Sequence, residues 1–544
     1  MPPISENTFV GVKMMKPDRF VLTGGTVNSS SITGIDATLV ADKYRMGWMQ
    51  VLDGNQAGKV YRVKYNTASA VYVNSSGLDE TSNSMAATDH VALFPYKGFP
   101  DEDSIWMLID SMEGLTPEHE IEELFAQTQD GEPYRHDSFI NKKRISGTIE
   151  LTPQNAKLFP LMFGKEVDTA SAEATDPLDT NLDGAVYPGE TVITVDSVTN
   201  AAEDDYIRIG SSSDGEIKKI SSVSDPDITL TEGLRRYHAD GATVDEMEDA
   251  DGTIFTHRFY EYYDTPWRQI PFVLMQTYDS DSVDNKITQF YWLVANSVNF
   301  KNDGNRLLCS VGVTGFYYNY VEGTLTATVD SDSATELADS ATDFPANGVR
   351  IGHTVTNVTD GSTGTITAVA QNAVTVGSLT GGDDNSFDED DVCTIDVTDS
   401  ERPTEVTQNL LLYSDSEVSI NSVVDGQVRS MDCSVDYQAE EKWYSNDEND
   451  KFASEVIMKR ATNTLTLGVR VNDATFLDLL EDGTKFDAYA KYSWNDSEYV
   501  KFFFKNCRVK NVPHGLPAGG PIETDLEVTP QYIYVEVTDQ TQYH

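Results

Sequence analysis

Three stretches of the chain repeat one local pattern, and that pattern dictates β-structure. Each opens with a glycine before an alternating strand: Gly58 into 59–63, Gly215 into 216–220 and Gly364 into 365–369. A second short strand follows at 71–73, 228–230 and 374–376, and a third, after a polar loop, at 89–91, 242–244 and 391–393. Apolar residues at every second position bury one face and leave the other wet. A unit this small has a marginal core and leans on its neighbours. The pattern predicts three small β-modules set between Ser-, Thr-, Asp- and Gly-rich loops such as 169–183 and 330–343.

What lies between the modules reads as a doubled core. A strand over 140–151 runs into a helix over 152–164, with Thr152 as N-cap, Pro153 at the first helical position and Gly164 as the stop. A strand over 457–470 runs into a second short helix, capped by Asn472 or Asp473 and stopped by Gly483. Leu158, Phe159, Phe476 and Leu477 are the core positions of these helices. A polar excursion precedes each strand. The first, 113–138, contains a capped helix candidate at 116–126; the second, 438–452, is acidic. Three hairpin-like segments complete the pattern. They run from 298 to 313 with a turn at Asp303-Gly304, from 418 to 435 with a turn at Asp425-Gly426, and from 507 to 528. Phe502-Phe503-Phe504 reads as a strand buried on both faces or at an interface.

The segments follow in order: an extended arm over 1–33, module one over 34–98, and the first part of the first core unit over 99–184. Module two spans 185–250, the rest of that core unit 251–325, module three 326–402 and the second core unit 403–544. The fold class is mainly β, with short flanking helices.

Charge narrows the setting. Asp and Glu number 89 against 39 Lys and Arg, for a net charge of -50 over 544 residues. Such a chain repels itself in dilute buffer, and concentrated salt screens the repulsion. Because the acids are dispersed along the sequence, they fit a halophilic source; a calcium-loaded surface protein is the rival. Tyr (26) and Phe (22) are too plentiful for a disordered acidic chain. Basic residues are too few for a dedicated nucleic-acid face. The N-terminus shows no secretory pattern, and no apolar run is long enough to span a bilayer. Cys309, Cys393, Cys433 and Cys507 read as single buried strand residues outside any disulfide framework.

Chemistry is poorly signalled. His119, His136, His238 and His257 are scattered in polar surroundings and read as surface or loop residues. No phosphate-binding loop, nucleophile elbow or dinucleotide fingerprint occurs. The acidic stretch 383–391 is suited at most to loosely bound cations, with no EF-hand spacing. No cofactor is expected. The aromatic runs 259–263 and 290–292 read equally as core or as interface anchors.

The strand–helix pair at 145–164, the hairpins at Asp425-Gly426 and 509–528, and the closing Thr529-Pro530 region together resemble the tail tube proteins of long-tailed viruses. With the acidity added, the likeness is greatest to those of haloarchaeal tailed viruses. The resemblance covers roughly 105–170, 255–320 and 405–544. It implies β-sandwich units that join into rings, rings that stack around a channel, and loops that touch the next ring. By order that contact falls to the two excursions, with Glu118, Glu122, Phe125, Trp443 and Tyr444 as contact residues. A doubled subunit implies a homotrimeric ring with pseudo-sixfold symmetry. It also implies other tail proteins as partners, passage of double-stranded DNA without sequence-specific binding, no membrane insertion, and a place in the virion tail after synthesis in the host cytoplasm. Another structural or adhesive β-protein of a halophile is the alternative class, and a carbohydrate-active enzyme a remote one.

Overall fold

We describe the protein from a computed structural model. It covers residues within 8–107, 118–125, 138–170, 178–247, 255–261, 272–278, 286–302, 306–397, 411–442, 455–470, 483–511 and 523–539, with short interruptions inside several of these spans. The architecture is largely β: curled antiparallel sheets with very few helical turns. Three small sheets stand apart, and the other long strands form one closed, barrel-like hydrogen-bonded network.

The three small sheets share one strand order. Numbering strands along the chain from one to six, the second module (Asp179–Asn181 to Thr243–Met247) and the third (Thr324–Thr328 to Val392–Asp396) both run 1-6-3-4-5-2. The first module, from Asp18–Val21 to His90–Phe94, runs the same way with one added edge strand. Register matches too. A β-bulge falls just after Val63, Ile220 and Ile366, which face Val73, Leu230 and Val376. The residues that fill equivalent core positions are Met49, Ile207 and Val355, and Ile32, Ile193 and Leu337, all at 0% exposure. Counting back from the bulge, Gly361 and not Gly364 is the counterpart of Gly58 and Gly215. Gly361 has φ +84°, a conformation that an L side chain adopts only with strain.

In every module the first and last strands lie side by side: Asp18 faces Leu93, Asp179 faces Asp245 and Thr324 faces Asp396. Entry and exit are therefore a strand spacing apart, which lets a module sit in a loop of the core without distorting it. The outward faces are also used. Trp48, Leu52, Ala92 and Phe94 of the first module join one buried cluster with the third. Tyr206, Ile217 and Met247 of the second pack on Phe255, where the chain re-enters the core. Arg62 lies over Trp48 at 5.0 Å, and Lys219 lies over Tyr206 at 5.9 Å in the equivalent place.

The core network divides into two sets of strands that pair in the same pattern. Thr8–Met14 pairs with Ile105–Met107 and Phe272–Tyr278, as Ser416–Ile420 pairs with Val423–Val424 and Phe486–Ser493. Lys286–Asn302 pairs with Phe272–Tyr278, Leu307–Gly315 and Tyr317–Glu322; Tyr499–Asn511 pairs with Phe486–Ser493, Glu523–Thr529 and Tyr532–Asp539. Ser138–Leu151 lies between Glu118–Phe125 and Leu307–Gly315, as Thr462–Arg470 lies between Val428–Asp436 and Glu523–Thr529. Bulges recur in place, between Ala295 and Ser297 and between Val509 and Asn511. Residues 1–33 read from sequence as an arm, yet Thr8–Met14 within them is a strand of the core.

A single buried cluster serves both sets. It includes Ile149, Phe159, Phe300, Cys433, Leu467 and Phe502. Phe300 meets Phe502 at 4.7 Å and Phe159 at 6.2 Å between ring centroids. Each such ring is worth about 1.5–3 kcal/mol of burial. All four cysteines are buried and free.

Four local expectations need correction. Residues 118–125 are a strand, not a helix. Their run of acids lies in register with a run of bases, Glu120 opposite Arg144 and Glu122 opposite Lys142. Cross-strand charge pairing of this kind favours the strand. The helix after residue 151 shrinks to a 3-10 helix, Ala156–Leu161, with Pro160 inside it. Thr152 does not cap it; the Ala156 N–H donates instead to Asp539 Oδ2 at 2.8 Å. The Asp425-Gly426 turn lies outside the described residues, and the strands on either side of it, Val423–Val424 and Val428–Asp436, pair in different sheets and not with each other. Finally, His238 and His257 are buried, at 2% and 0% exposure. The helix expected after residue 471 lies outside the described residues.

Candidate assembly surfaces

The two core sets meet edge to edge. Residues Ser297 to Asn302 pair antiparallel with Asp436 to Met431. That pairing fuses both sets into one sheet of eight strands, from Glu118–Phe125 at one edge to the end of Tyr499–Asn511 at the other. One face of the joint is core, with Val298, Phe300, Cys433 and Val435 at 0 or 1% exposure. The other carries Ser297, Asn299 and Lys301 opposite Asp436, Ser434 and Asp432. Asn299 Nδ2 donates to Asp432 Oδ1 at 2.9 Å across the joint, and on the next strand pair the Ser434 and Thr464 hydroxyls meet at 2.5 Å. The joint thus consists of backbone pairing plus short cross-strand bonds, a geometry that any chain with two such edges can repeat.

Among the described residues, neither Glu118–Phe125 nor the end of Tyr499–Asn511 has a second partner strand in this sheet. By the matched registers, Asn511 occupies the place of Ser297, and Glu120 that of Asp436. The described counterparts of the joined runs are thus Asn511 on one end and 118–120 on the other; the rest of both runs lies outside the described residues.

The proposed contact residues scatter around this sheet. Glu118, Glu122 and Phe125 lie on its edge strand. Trp443 and Tyr444 lie outside the described residues, just past the strand Glu440–Lys442, which pairs with Glu455–Ile457. Both excursions are therefore flanked by paired strands: Leu124 faces Phe139 as Glu440 faces Ile457. Leu158 and Phe159 are buried in the core, at 2% and 0%. Phe476 and Leu477 lie outside the described residues.

The seven-strand sheet that backs the core has a different outer face. It runs from Lys165–Ala170 through Phe255–Tyr260, Tyr532–Asp539, Tyr499–Asn511, Phe486–Ser493 and Ser416–Ile420 to Val423–Val424. Tyr260, Tyr534, Phe503 and Tyr489 stand in register on adjacent strands, with centroids 5.2, 4.5 and 6.2 Å apart. A row of charge runs beside them: Arg258, Glu536, Lys501, Lys491 and Glu417. Arg258 Nε donates to Glu536 Oε2 at 2.9 Å, and the Tyr489 hydroxyl donates to Glu417. Lys501 Nζ sits 3.9 Å from the Tyr489 centroid and 4.8 Å from that of Phe503. Partial burial lowers the Lys501 pKa against the pull of Glu536 and Glu417, and burial raises Tyr534 to about 12. The triple-Phe segment thus splits by parity: Phe502 and Phe504 are core, while Phe503 joins the outer row. The period of two carried that signal, but the flanking lysines hid it.

Sequence reasoning missed the buried titratable groups. Glu261, in the aromatic run 259–263, bridges the two layers: its Oε2 accepts the Ile533 N–H at 2.9 Å and Asn463 Nδ2 at 2.5 Å. Burial, the largest effect, pushes its pKa up to about 7. In the second module Glu216 lies 2.9 Å from His238 Nε2 and 3.7 Å from Lys218 Nζ, all three buried. Among the described residues no group of His, Cys, Asp and Glu is arranged to hold a metal ion, and no helix is long and apolar enough to cross a membrane. No known family model matches the chain, and no curated protein matches it in sequence.

Proposed function

We propose that this chain is the structural subunit of a viral tail tube, of the kind made by viruses of halophilic hosts. One observation carries the reading. The two core sets are joined edge to edge in one sheet, and the end strands of that sheet hold Asn511 and Glu120 at the register positions of the joined Ser297 and Asp436. On this reading each set is a tail-tube-like unit, and the chain is a duplicate of it with three inserted modules. Three chains joined head to tail close a ring of six units, which leaves no free lateral edge and two ring faces for stacking. The polar outer face of the joint, with Ser297, Asn299, Lys301, Asp432 and Ser434, suits the wall of a water-filled channel. The chain's role is assembly, not catalysis, with virion tail proteins and its own copies as partners.

The matched registers set the test. Asn511 of one chain is expected opposite Glu120 of the next. Directly opposed residues of an antiparallel pair lie about 4.5–5.5 Å apart, within disulfide reach. A chain carrying both Asn511→Cys and Glu120→Cys should crosslink into closed trimers under oxidation, and native mass spectrometry of the unmodified protein should give three chains. Open ladders, or rings of six full chains, would remove the basis for the reading.

A further inference from the structure

The matched strand sets act as an internal control on the aromatic row. In the N-terminal set, Met275, Gln289 and Asn319 hold the register positions of Tyr489, Phe503 and Tyr534. Thr277, Ile287 and Val321 likewise hold those of Lys491, Lys501 and Glu536. The same strand pairing therefore forms without an aromatic row or a charged one. The fold does not require the ladder, and its presence in one set alone calls for a role outside the fold.

Charge and ring geometry identify the kind of partner. Arg258, Lys491, Lys501 and Lys505 meet Glu417, Asp487 and Glu536 on this face. Four cations against three carboxylates leave a slight positive excess, on a chain whose net charge is -50. Phe503 stacks on Tyr534 at 11° and Tyr260 on Tyr534 at 30°, while Tyr489 is tilted 49° from Phe503 and has Lys501 Nζ 3.9 Å from its centroid. Tyr260, Tyr534 and Phe503 cover one another's faces and Lys501 lies over Tyr489 and Phe503, which leaves little ring face for a sugar or a nucleobase to stack on. What such a row offers outward is ring edges, and the edge of an aromatic ring is its positive rim. Ring edges flanked by lysines fit carboxylates on an apolar or aromatic backbone.

We propose that this ladder is a docking face for an acidic stretch of a second copy of this chain, reached from the neighbouring ring. The inference rests on the tube reading for its geometry, but not for its chemistry. Most of the surface of a second copy is acidic, so two copies repel almost wherever they meet. The ladder is a face where the repulsion is cancelled and large side chains are already ordered. Since it occurs in one set only, a three-chain ring presents it three times, not six.

The test transplants residues that this strand pattern already accepts. One variant carries Tyr489→Met, Phe503→Gln and Tyr534→Asn; a second carries Lys491→Thr and Lys501→Ile. Circular dichroism checks folding, native mass spectrometry in volatile salt counts chains per ring, and sedimentation in molar potassium chloride measures ring-to-ring association. Both variants should keep the wild-type ring and need at least ~10-fold more protein to reach half association, since every 1.4 kcal/mol is tenfold. Variants that associate at the wild-type concentration overturn the proposal and leave the tube reading intact. A wild-type chain that pairs without forming rings, and loses the pairing in both variants, sinks the tube reading and upholds the ladder. Binding of a neutral polysaccharide to the wild type, with self-association unchanged in the variants, also overturns it.

Discussion

Asp539 Oδ2 accepts the Ala156 N–H at 2.8 Å, so the strand Tyr532–Asp539 caps the 3-10 helix Ala156–Leu161 of the N-terminal set. The two residues are 383 positions apart. The contact has a partner: the Tyr437 hydroxyl donates to the Met162 carbonyl at 2.6 Å, at the other end of the same turn. Both ends of the 3-10 helix are thus held by residues of the C-terminal set. Replacing Asp539 by Ala should cost about 0.5–2 kcal/mol, the usual value of a lost N-cap. Tyr437→Phe should cost about 1–3 kcal/mol, because it leaves a buried carbonyl unpaired. Denaturant midpoints in molar salt measure both.

Glu261 gives the protein a specific pH dependence. Its folded pKa, about 7, lies above the ordinary 4.5. The folded state therefore holds a proton that the unfolded state has released between those values. Stability falls as pH rises through this window and levels off above it. The contribution at stake is on the order of 3 kcal/mol. Glu261→Gln keeps an acceptor for Ile533 and Asn463 and removes the titration. The variant should be flatter than the wild type between pH 5 and 8 and more stable at the upper end, by denaturant titration at each pH. Parallel profiles would refute the assignment.

Deleting the third module should leave the core folded. Its first and last strands, Thr324–Thr328 and Val392–Asp396, are paired side by side, so a short Gly/Ser link can close the gap. The cost should appear on the first module, where Trp48, Leu52 and Phe94 lose their cover. Increased binding of a hydrophobic dye with unchanged core circular dichroism is the expected result. Loss of the core signal would make the third module part of the folding unit.

Salt should matter more than for an ordinary domain. The net charge of -50 is screened over about 3 Å at 1 M salt but over about 10 Å at 0.1 M. Circular dichroism during dilution should report loss of compact structure toward the lower concentration. A fold unchanged down to ~0.05 M, where screening reaches still further, would argue against adaptation to high salt.

The strands were legible in the sequence wherever one face is wet. Thr462–Arg470 and Val428–Asp436 alternate buried and open residues along most of their length. Glu118–Phe125 was not legible, because acids behind Thr116-Pro117 imitate a helix start, and only the facing Lys142, Lys143 and Arg144 decide for the strand. The third module was visible but shifted, since Gly364, which lies inside the strand Thr363–Val369, was read as its opening glycine in place of Gly361, and only the bulge fixes the register. The joint between Ser297–Asn302 and Met431–Asp436 had no local signal at all: it depends on which of several similar edges meet. The aromatic row was hidden for the same reason, as its members come from four strands scattered between Tyr260 and Tyr534.

Lys286–Asn302 is hydrogen-bonded in one layer along its first half and in the other along its second, and Tyr499–Asn511 repeats the arrangement. A strand shared in this way behaves as a corner beam. Tension along it loads both layers together, so its bonds must shear as a group and cannot open one at a time like a zipper. An object built from such corners resists bending and peeling far better than two flat sheets held by side chains alone.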